Sequence, residues 1–482
     1  MQFLKKHYLI ILFLSFYFCL IAFKIIWHPT PFYDWDESLY MQTGKEMIQN
    51  KYFLFPMWQG SIWLDKPPLI PLVYASISSA FYFIPAEIST RMFTLLISIA
   101  LLSFVYVLYN KLFKDQVLST LSVIVTAFTP IFLQRAQVVN LDLFLLFGWI
   151  GYVLFFDKKY LSFIFLFISV FSKSLIGFYP VIAIAFYYLY LFILKKVNKK
   201  ELKKAFVKLS LHTSLLLAWF ASMYAILGNS FWEQHIIESH FRRITSSIEF
   251  HFGQKTFYLD LIYQQYSFLL IFILIGLVSL FIWFKRNKFE SGKLFYALYL
   301  LPWFLFLNLT KTKIFWYVYA AIPQFGFFAV SSGLLFKKNK KFYWIFITLL
   351  TLGIFYKAFF IDNLLTTYYS KEEPHYYLSL YAKSKCEDLN VLLNKQGRKS
   401  FDELDKLGLL ITTTKWWGSH PSMVYYFEKK INFLYSKGEL EKSLTNSNKD
   451  SCFVVEKEDS KLVANQKNLT LLKTFDYLQL YK

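Results

Sequence analysis

Apolar residues are gathered into blocks of roughly 20, the length that an α-helix needs to span the hydrocarbon core of a bilayer. The first block, Tyr8 to Trp27, follows Lys5 and Lys6 and lacks a small-residue cleavage site. We therefore predict an uncleaved first helix, with a removed signal peptide as the alternative. The blocks predict eleven spans, at about 8–27, 91–110, 117–133, 141–156, 160–172, 175–194, 207–228, 259–284, 294–309, 315–336 and 342–361.

One further block, Leu69 to Ile84, is apolar over only about sixteen residues. If it spanned the membrane, every later loop would change sides. We therefore predict a helix that lies in, or dips into, the membrane interface. The predicted fold class is an all-α polytopic membrane protein with a small C-terminal α/β domain.

Charge separates the two ends of these spans. Hydrophobic residues make up 56% of the chain, the mean hydropathy is +0.40 and the net charge is +21. Residues 362–482 hold only +2 of that charge, and residues 1–361 hold +19. Most of the excess lies in short clusters between apolar blocks, at Lys111/Lys114, Lys158/Lys159, Lys195 to Lys208, Lys285 to Lys293 and Lys337 to Lys341.

Such clusters mark cytoplasmic loops, because basic residues resist translocation. Eleven spans with the N-terminus inside and the C-terminus outside place every strongly basic loop inside. A nucleic-acid surface is the alternative reading of the charge, and it would need basic residues on one continuous face.

Two domains follow from the composition. Residues 1–361 form the predicted transmembrane domain, with a long outer loop at 28–90, and residues 362–482 form a polar outer domain. In the outer domain, 371–394 and 400–408 are typical of helices, whereas 407–413, 452–457 and 471–482 are typical of strands. Cys386 and Cys452 both lie there and form a disulfide if the compartment is oxidising, whereas Cys19 lies in the first helix.

Polar and charged residues collect at the outer ends of the predicted spans. Ionisable groups near the membrane are costly and usually mark a site, although any single one is as readily an interfacial anchor. The set is Asp34, Asp36, Glu37, Asp65, Lys66, Arg135, Asp142, Lys173, His240, Arg242, Arg243, His251, Lys311 and Lys313.

Two stretches of the outer loop suit chemistry on a phosphate. "DWDESLY" (34–40) carries three acids, of which Asp36 is also suited to cap a helix. In "WLDKPPL" (63–69), two prolines fix the backbone after Lys66, and a pre-oriented ammonium suits a phosphate as a point charge.

Taken together, these segments resemble the bacterial ArnT-like branch of the GT-C membrane glycosyltransferases, which is related to the dolichyl-phosphate-mannose protein mannosyltransferases. The resemblance covers about residues 30–330, with Asp65 in place of the usual Glu and Ser174 in place of the usual Gly. Its carriers are Asp36-Glu37 with Tyr40, "DKPPL" (65–69), Arg91, "RAQVVNLD" (135–142), "SKSLIGF" (172–178), "HFRRI" (240–244) with His251, and "TKTKIFWYVYAAIP" (310–323).

The resemblance implies a transferase that takes a sugar from a polyprenyl-phosphate-linked donor on the outer, periplasmic face of the bacterial inner membrane. Asp36 is then the expected catalytic carboxylate, with Glu37 in support, and the reaction is a single inverting displacement. The acceptor is lipid A, another envelope glycan or a protein. The expected donor-phosphate ligands are Lys66, Arg242, Arg243, Lys311 and Lys313, with Tyr40, Arg91, Arg135, Asp142 and Lys173 as further site residues.

Three alternatives stay open. Asp65 and His251 are candidate ligands for a divalent metal (Zn, Mn or Mg), although a lone histidine is more often a hydrogen-bonding residue. A lipid or glycan transporter also places charges in a helix bundle, but it favours midplane charges and internal repeats, which are not evident here. A scaffold without catalysis predicts that Asp36→Asn is silent.

Overall fold

Long apolar helices dominate the part of the chain that the structure describes. The computed structural model describes residues 7–286, 290–364, 373–410, 420–464 and 469–482. Within these ranges, seven helical runs are long and apolar enough to cross a membrane, or eight if the bent pair Ser291–Leu298 and Leu301–Leu309 forms one span. The predicted polytopic class is confirmed, whereas the count of eleven and the orientation stay predictions.

Two of the predicted spans are short helices. Gln116–Ala127 has 12 residues and Asp142–Leu154 has 13. At about 1.5 Å per residue, each rises only about 18–20 Å, less than the roughly 30 Å of a hydrocarbon core. The 12-residue helix Leu69–Ala80 is similarly short, in keeping with its prediction as a non-spanning element.

The helical run from Lys159 to Ile193 turns back at Ser174, where φ is +58°. Ser169 Oγ donates to the carbonyl oxygen of Gly177 at 3.0 Å, whereas residues eight apart in a straight helix lie about 12 Å apart. A Cβ on Gly177 would lie 2.3 Å from the Cα of Val170, so this close approach requires glycine. The chain breaks where the sequence predicts the boundary between spans 160–172 and 175–194.

The chain divides into two units, and each is described by itself. The first unit contains Met1–His28, Ile88–Asn229 and Gly253–Tyr368. Its α-helices are Tyr8–Trp27, Ala86–Phe113, Gln116–Ala127, Pro130–Arg135, Asp142–Leu154, Lys159–Lys173, Tyr179–Ile193, Lys199–Leu227, Phe257–Tyr266, Leu270–Arg286, Ser291–Leu298, Leu301–Leu309, Ile322–Ser331 and Lys340–Tyr356. Short 3₁₀ or π turns complete it at Ser174–Phe178, Ser267–Leu269, Phe315–Ala321, Ser332–Leu335 and Lys357–Ile361.

Polar side chains cap the N-termini of several of these helices. Asn198 Oδ1 accepts from the backbone N–H of Glu201, and Glu201 Oε2 accepts from the backbone N–H of Asn198, each at 2.9 Å. This reciprocal capping box satisfies two donors at the start of Lys199–Leu227. Asp115 caps the helix Gln116–Ala127, since its side chain accepts from two backbone N–H groups.

The second unit contains Pro29–Glu87, Ser230–Phe252 and Tyr369–Lys482. The sequence predicts an outer domain that consists of residues 362–482 alone, and that boundary stays a prediction. Its helices of four or more residues are Asp36–Gln49, Leu69–Ala80, the π-helix Trp232–Arg242, Pro374–Lys383, Lys395–Lys406, Pro421–Phe427, Lys437–Asn446 and Lys461–Ala464. Three-residue turns lie at Asn229–Phe231, Arg243–Thr245, Ile248–Phe250 and Lys457–Asp459.

A mixed sheet forms the core of the C-terminal part of this unit. A small hairpin of β1 Met57–Trp58 and β2 Ser61–Ile62 precedes it in the chain, and its own strands are β3 Asp388–Leu392, β4 Lys430–Leu434, β5 Ser451–Glu456, β6 Leu471–Phe475 and β7 Leu478–Tyr481. In the described residues the order of the mixed sheet is β4-β3-β5-β7-β6, with β3 parallel to β4 and β5. The predicted strands at 452–457 and 471–482 are confirmed.

The prediction of one helix over 371–394 is wrong in its second half, because Asp388–Leu392 is a strand. Its apolar residues are buried between two parallel neighbours, and such a central position overrides local helix propensity. Pro374–Lys383 and Lys395–Lys406 are helical. Of the predicted strand at 407–413, residues 407–410 are turn and coil, and residues 411–413 lie outside the described residues.

The cysteine pair is bonded as the sequence allowed. Cys386 and Cys452 form a disulfide across 66 residues, and both side chains are buried. Cys452 belongs to β5, opposite Leu389 of β3. The bond therefore ties the segment that enters β3 to the centre of the sheet.

Candidate functional site

The predicted site residues fall into both units. The second unit holds Asp36, Glu37, Tyr40, Asp65, Lys66, Arg242, Arg243 and His251, and the first unit holds Arg91, Arg135, Asp142, Lys173, Lys311 and Lys313. Each group is described within its own unit.

The Asp65-Lys66 pair is held by the π-helix Trp232–Arg242. Lys66 Nζ lies 2.6 Å from Asp65 Oδ2, and Ser239 Oγ lies 2.5 Å from Asp65 Oδ1. His235 Nδ1 lies 2.7 Å from the carbonyl oxygen of Leu64, so this nitrogen carries the proton and donates it. Both oxygens of the Asp65 carboxylate and the backbone before it are thereby fixed, and with them the base of the Lys66 side chain.

Electrostatics around Asp65 favour its ionised form. Burial alone raises the pKa of Asp65, but the charges of Lys66 and Arg243 and the hydrogen bond from Ser239 outweigh it and bring the pKa well below its usual value. The carboxylate therefore stays charged at any physiological pH. Its role is to orient cations.

Neutral imidazoles surround this pair. Burial lowers the pKa of His235 to about 4, and burial with the neighbouring His235 and Lys66 lowers that of His240 well below its usual value. The ring of His235 stacks on Phe231, with the centroids 4.9 Å apart. At neutral pH His235 donates to Leu64 and stacks on Phe231, and His240 packs against His235 with the ring centroids 6.0 Å apart. The positive charge here therefore comes from Lys66 and Arg243.

Asp36 lies within electrostatic reach of the same cluster through His251. Burial lowers the pKa of His251 and Arg243 lowers it further, whereas Glu249 and Asp36 act in the opposite direction. Arg243 also pairs with Glu249, with 3.8 Å between Nη2 and Oε2. Asp36, Arg243 and Glu249 therefore all act on the charge of His251, and Arg243 also acts on that of Asp65.

Asp36 begins the helix Asp36–Gln49, and its neighbours are structural. Glu37 is 1% exposed, and its Oε2 accepts from the backbone N–H of Tyr33 at 2.9 Å. Tyr40 is buried with its ring 6.3 Å from that of Trp63. Asp36 is less buried than Glu37, so of the two carboxylates it is the better placed to meet a substrate.

Arg242 is directed to the C-terminal part of the unit. Its guanidinium donates to the carbonyl oxygen of Gly408, and Nη1 lies 3.5 Å from Glu238 Oε1. The nearby backbone N–H of Glu249 donates to the carbonyl oxygen of Leu409. Arg242 therefore holds Gly408, whereas Arg243 pairs with Glu249 and acts on the charge of Asp65.

In the first unit, three of the polar sequence segments converge. Lys173 Nζ lies 2.5 Å from Asp142 Oδ1, and both side chains are buried. The Lys173 ammonium also lies 4.7 Å from the ring centroid of Tyr317, and the Arg135 guanidinium lies 4.8 Å from that of Trp316. Such cation–π contacts hold a cation over an aromatic face while leaving some of its N–H groups for other acceptors.

The remaining lysines of this unit differ in their surroundings. Lys313 Nζ donates to the carbonyl oxygens of Leu307 and Asn308, each at 3.1 Å, and lies 5.1 Å from the ring centroid of Tyr258. Lys311 is exposed, and Arg91 is 6% exposed. Lys313 is thus engaged by the helix end Leu301–Leu309, and Lys311 is the more accessible cation.

The surroundings of Asp65 do not fit a divalent metal. Lys66 and Arg243 place two positive charges at the carboxylate, and Ser239 occupies its second oxygen. Among the residues described, no three His, Cys, Asp or Glu side chains are grouped as metal ligands. The divalent metal stays a prediction.

Several residues that shape these sites were not identified from the sequence. His235 and Ser239 hold the "DKPPL" segment, and the aromatic faces of Trp316 and Tyr317 hold the cations of the first unit. The signal for Trp316 and Tyr317 was present, since both stand in the "TKTKIFWYVY" segment. For Ser239 there was none, because its partner lies 174 residues earlier.

Comparisons with known proteins place the fold. No family model matches the chain. An uncharacterized protein of Aquifex aeolicus (strain VF5) is 26% identical over 370 residues, which cover 73% of this chain and 70% of that protein. This relative adds no function.

Two solved structures cover nearly the whole chain. The crystal structure of ArnT from Cupriavidus metallidurans in the apo state matches with a TM-score of 0.66 and 12% identity. The structure of the same protein bound to undecaprenyl phosphate matches with a TM-score of 0.64 and 11% identity. Each comparison covers 98% of this chain and 97% of the other. The predicted resemblance is confirmed at the level of the fold, and this chain has the fold of ArnT.

Proposed function

We propose that this chain is a GT-C membrane glycosyltransferase that moves a sugar from a polyprenyl-phosphate-linked donor to an acceptor on the outer face of the bacterial inner membrane. The observation that carries the proposal is the Asp65-Lys66 pair, held by Ser239 and lying in the same unit as Asp36 and Arg243. The ArnT fold supports it, since one of those structures is bound to undecaprenyl phosphate.

The cations suit the phosphate of such a donor. An ammonium has three N–H donors. Asp65 takes two of those of Lys66, one through its carboxylate at 2.6 Å and one through its backbone carbonyl oxygen at 3.4 Å, so the third remains for a phosphate oxygen. Arg243 adds a planar, permanently charged fork. Developing negative charge on the leaving phosphate is stabilised by donors that are fixed before the reaction begins, and the bonds from Ser239 and His235 supply that fixation.

The reaction that fits this arrangement is one displacement at the anomeric carbon. The acceptor oxygen forms a bond to that carbon on the face opposite the phosphate. The bond between the carbon and the phosphate oxygen breaks, and its electron pair leaves with the polyprenyl phosphate. If the acceptor is a hydroxyl, Asp36 takes its proton, and if it is a phosphate, Asp36 orients it. The configuration at the anomeric carbon inverts.

The first unit offers a second set of polar contacts for the substrates. Arg135 and Lys173, each over an aromatic ring, and the exposed Lys311 are proposed to bind donor or acceptor oxygens. Arg242, Lys313, Tyr40 and Arg91 remain candidates for the same role. The proposed acceptor is lipid A, with an aminoarabinose-like sugar, and a protein or another envelope glycan is the alternative.

The test uses a deletion strain complemented with variants and analysed by mass spectrometry of lipid A and envelope glycans. We expect the deletion to remove one sugar increment, wild type to restore it, and Asp36→Asn and Lys66→Gln to lower it at least tenfold at equal protein level. The matched controls are Glu233→Gln and Lys51→Gln, which change an exposed acid and an exposed base of the same unit.

Full restoration by Asp36→Asn would contradict the catalytic assignment. An unchanged glycan and lipid profile in the deletion strain would contradict the transferase itself.

A further inference from the structure

Asp34, an acid to which the sequence assigns no role, is hydrogen-bonded to the C-terminal part of the second unit. Its Oδ2 lies 2.5 Å from Nδ1 of His420, a residue 386 positions later. Its Oδ1 accepts from the backbone N–H and the hydroxyl of Ser422, at 3.1 and 2.5 Å. Both carboxylate oxygens are therefore held by the start of the helix Pro421–Phe427.

More bonds join the same two segments. Tyr426 accepts from the backbone N–H of Phe32 at 2.8 Å and donates to Glu87 Oε1 at 2.6 Å. Lys45 Nζ lies 2.8 Å from Glu428 Oε1. Asp34 is thus part of a seam along which the helix Pro421–Phe427 is joined to the first long loop.

Hydrogen bonds from both sides of residues 34–36 close this stretch of backbone into a small loop. The backbone N–H of Tyr33 donates to Glu37 Oε2 at 2.9 Å, and Ser38 Oγ donates to the carbonyl oxygen of Tyr33 at 2.8 Å. Both hydrogen bonds join side chains of the first helical turn to the backbone of Tyr33, so residues 33–38 are tied together. A shift of Asp34 is therefore passed on to Asp36, which stands two residues later.

We propose that His420 is a positioning residue for Asp36, acting through Asp34 and the closed backbone of residues 33–38. The proposal rests on the proposed function, in which Asp36 is the catalytic carboxylate. The imidazole of His420 is hydrogen-bonded to one oxygen of Asp34, and Ser422 is hydrogen-bonded to the other; this arrangement of His420, Asp34 and Ser422 is the clamp. The helix Asp36–Gln49 starts two residues after it.

A second imidazole, that of His375, lies against His420 and disfavours protonation of both rings at once. The ring of His375 stacks on that of His420, with the centroids 3.6 Å apart. His375 Nδ1 lies 3.8 Å from Glu373 Oε2. Two imidazolium ions at this distance repel each other, so one proton is favoured on the pair, and Asp34 draws it to His420.

The pKa directions agree with this geometry. For His420, burial lowers the pKa, but Asp34 outweighs burial, so the pKa is raised above its usual 6.5. Burial raises the pKa of Asp34, but His420 and Ser422 outweigh it and lower it below 3.8. Burial and His420 lower the pKa of His375. The other titratable groups that face these three are Glu373, Glu456 and Tyr477, and Asp476 in turn acts on Tyr477.

The signs define a pH window. The raised pKa of His420 means that its contribution is complete below about pH 6.5 and is lost as the pH rises through its folded value. The lowered pKa of Asp34 means that its contribution is lost only as the pH falls below about 3.8. Protonation of His375, whose pKa is lowered, sets an acid limit below pH 6.5. The clamp is therefore intact between that limit and about pH 6.5, and it weakens as the pH rises through the raised pKa of His420, its alkaline limit.

The test compares His420→Ala, His420→Asn and the surface control Lys399→Gln in the full-length protein. We expect His420→Ala to lower kcat about 10- to 100-fold with KM within about twofold, because misplacing a reacting group has costs of that order. His420→Asn keeps a donor at every pH, so it should recover most of kcat at neutral pH and lose the alkaline decline of the wild type.

Hydrogen exchange of residues 33–41 gives a readout that needs no substrate. We expect exchange to rise severalfold in His420→Ala, and in the wild type above the alkaline limit, but not in Lys399→Gln. Unchanged exchange and unchanged kcat in His420→Ala would overturn the proposal, as would an alkaline decline that persists in His420→Asn. If the wild type transfers no sugar, the exchange data still decide the clamp, and the proposed function alone fails.

Discussion

Removing the disulfide between Cys386 and Cys452 should destabilise the C-terminal part of the second unit. The bond closes a loop of 66 residues. In the chain-entropy model, opening a loop of this length costs about 4 kcal/mol at 25 °C, because the unfolded chain regains conformational freedom. Replacing both cysteines by alanine should therefore lower the free energy of unfolding of this region by about that amount.

The assay has a chemical part and a stability part. Alkylation with a polymer-linked maleimide under denaturing conditions should shift the wild type by one unit, from Cys19, and by three after reduction. Proteolysis across a urea series in isolated membranes should show an earlier midpoint for the double variant. Reduced wild type should behave like the variant, and Cys19→Ala should keep the wild-type midpoint.

Two results would refute this reasoning. Three alkylated cysteines without reduction would show that the bond does not form in the cell, and would also count against an outer location of this region, since disulfides persist in oxidising compartments. An unchanged urea midpoint despite a formed bond would show that the loop is already constrained by other contacts.

Two further predictions concern packing. Asp142→Asn or Lys173→Met alone leaves one buried charge without its partner, so each should lower the free energy of unfolding by about 3–5 kcal/mol. In a thermal double-mutant cycle, the double variant should be closer to wild type than either single variant. Equal losses of stability in all three variants would contradict this prediction. Gly44→Ala would place a Cβ 2.1 Å from the carbonyl oxygen of Pro71 and should lower stability by about 1–3 kcal/mol, whereas Gly292→Ala, with its nearest contact at 3.4 Å, should be almost neutral by the same thermal assay.

The sequence predicted those features that depend on composition and local pattern. Apolar blocks marked the long helices, and the alternating residues of 471–482 marked the last two strands. The strand Asp388–Leu392 was missed, because its state depends on β4 and β5, which flank it in the sheet but follow it by some 40 and 60 residues in the chain. The helix or strand propensity of a short segment contains no information about partner strands so far away in the chain.

The candidate site shows the same division. Lys66 and Asp36 stood out because charged residues beside apolar blocks are costly and rarely accidental. Asp34 looked like a solvated loop residue, since its partners His420 and Ser422 are 386 and 388 positions away. Ser239 is an ordinary serine until the π-helix Trp232–Arg242 brings its hydroxyl to Asp65. Those contacts exist only in the folded chain.

The second unit is built from three stretches that are separated along the chain, and this has a consequence for its biogenesis. Asp34 is synthesised 386 residues before His420. At about 5–20 residues per second, roughly 20–80 s pass on the ribosome between the two. During that interval the helix Asp36–Gln49 lacks the partners that the C-terminal residues later supply. Until residues 420–428 emerge, this segment is held by contacts that are close in sequence, such as the approach of Gly44 to Pro71.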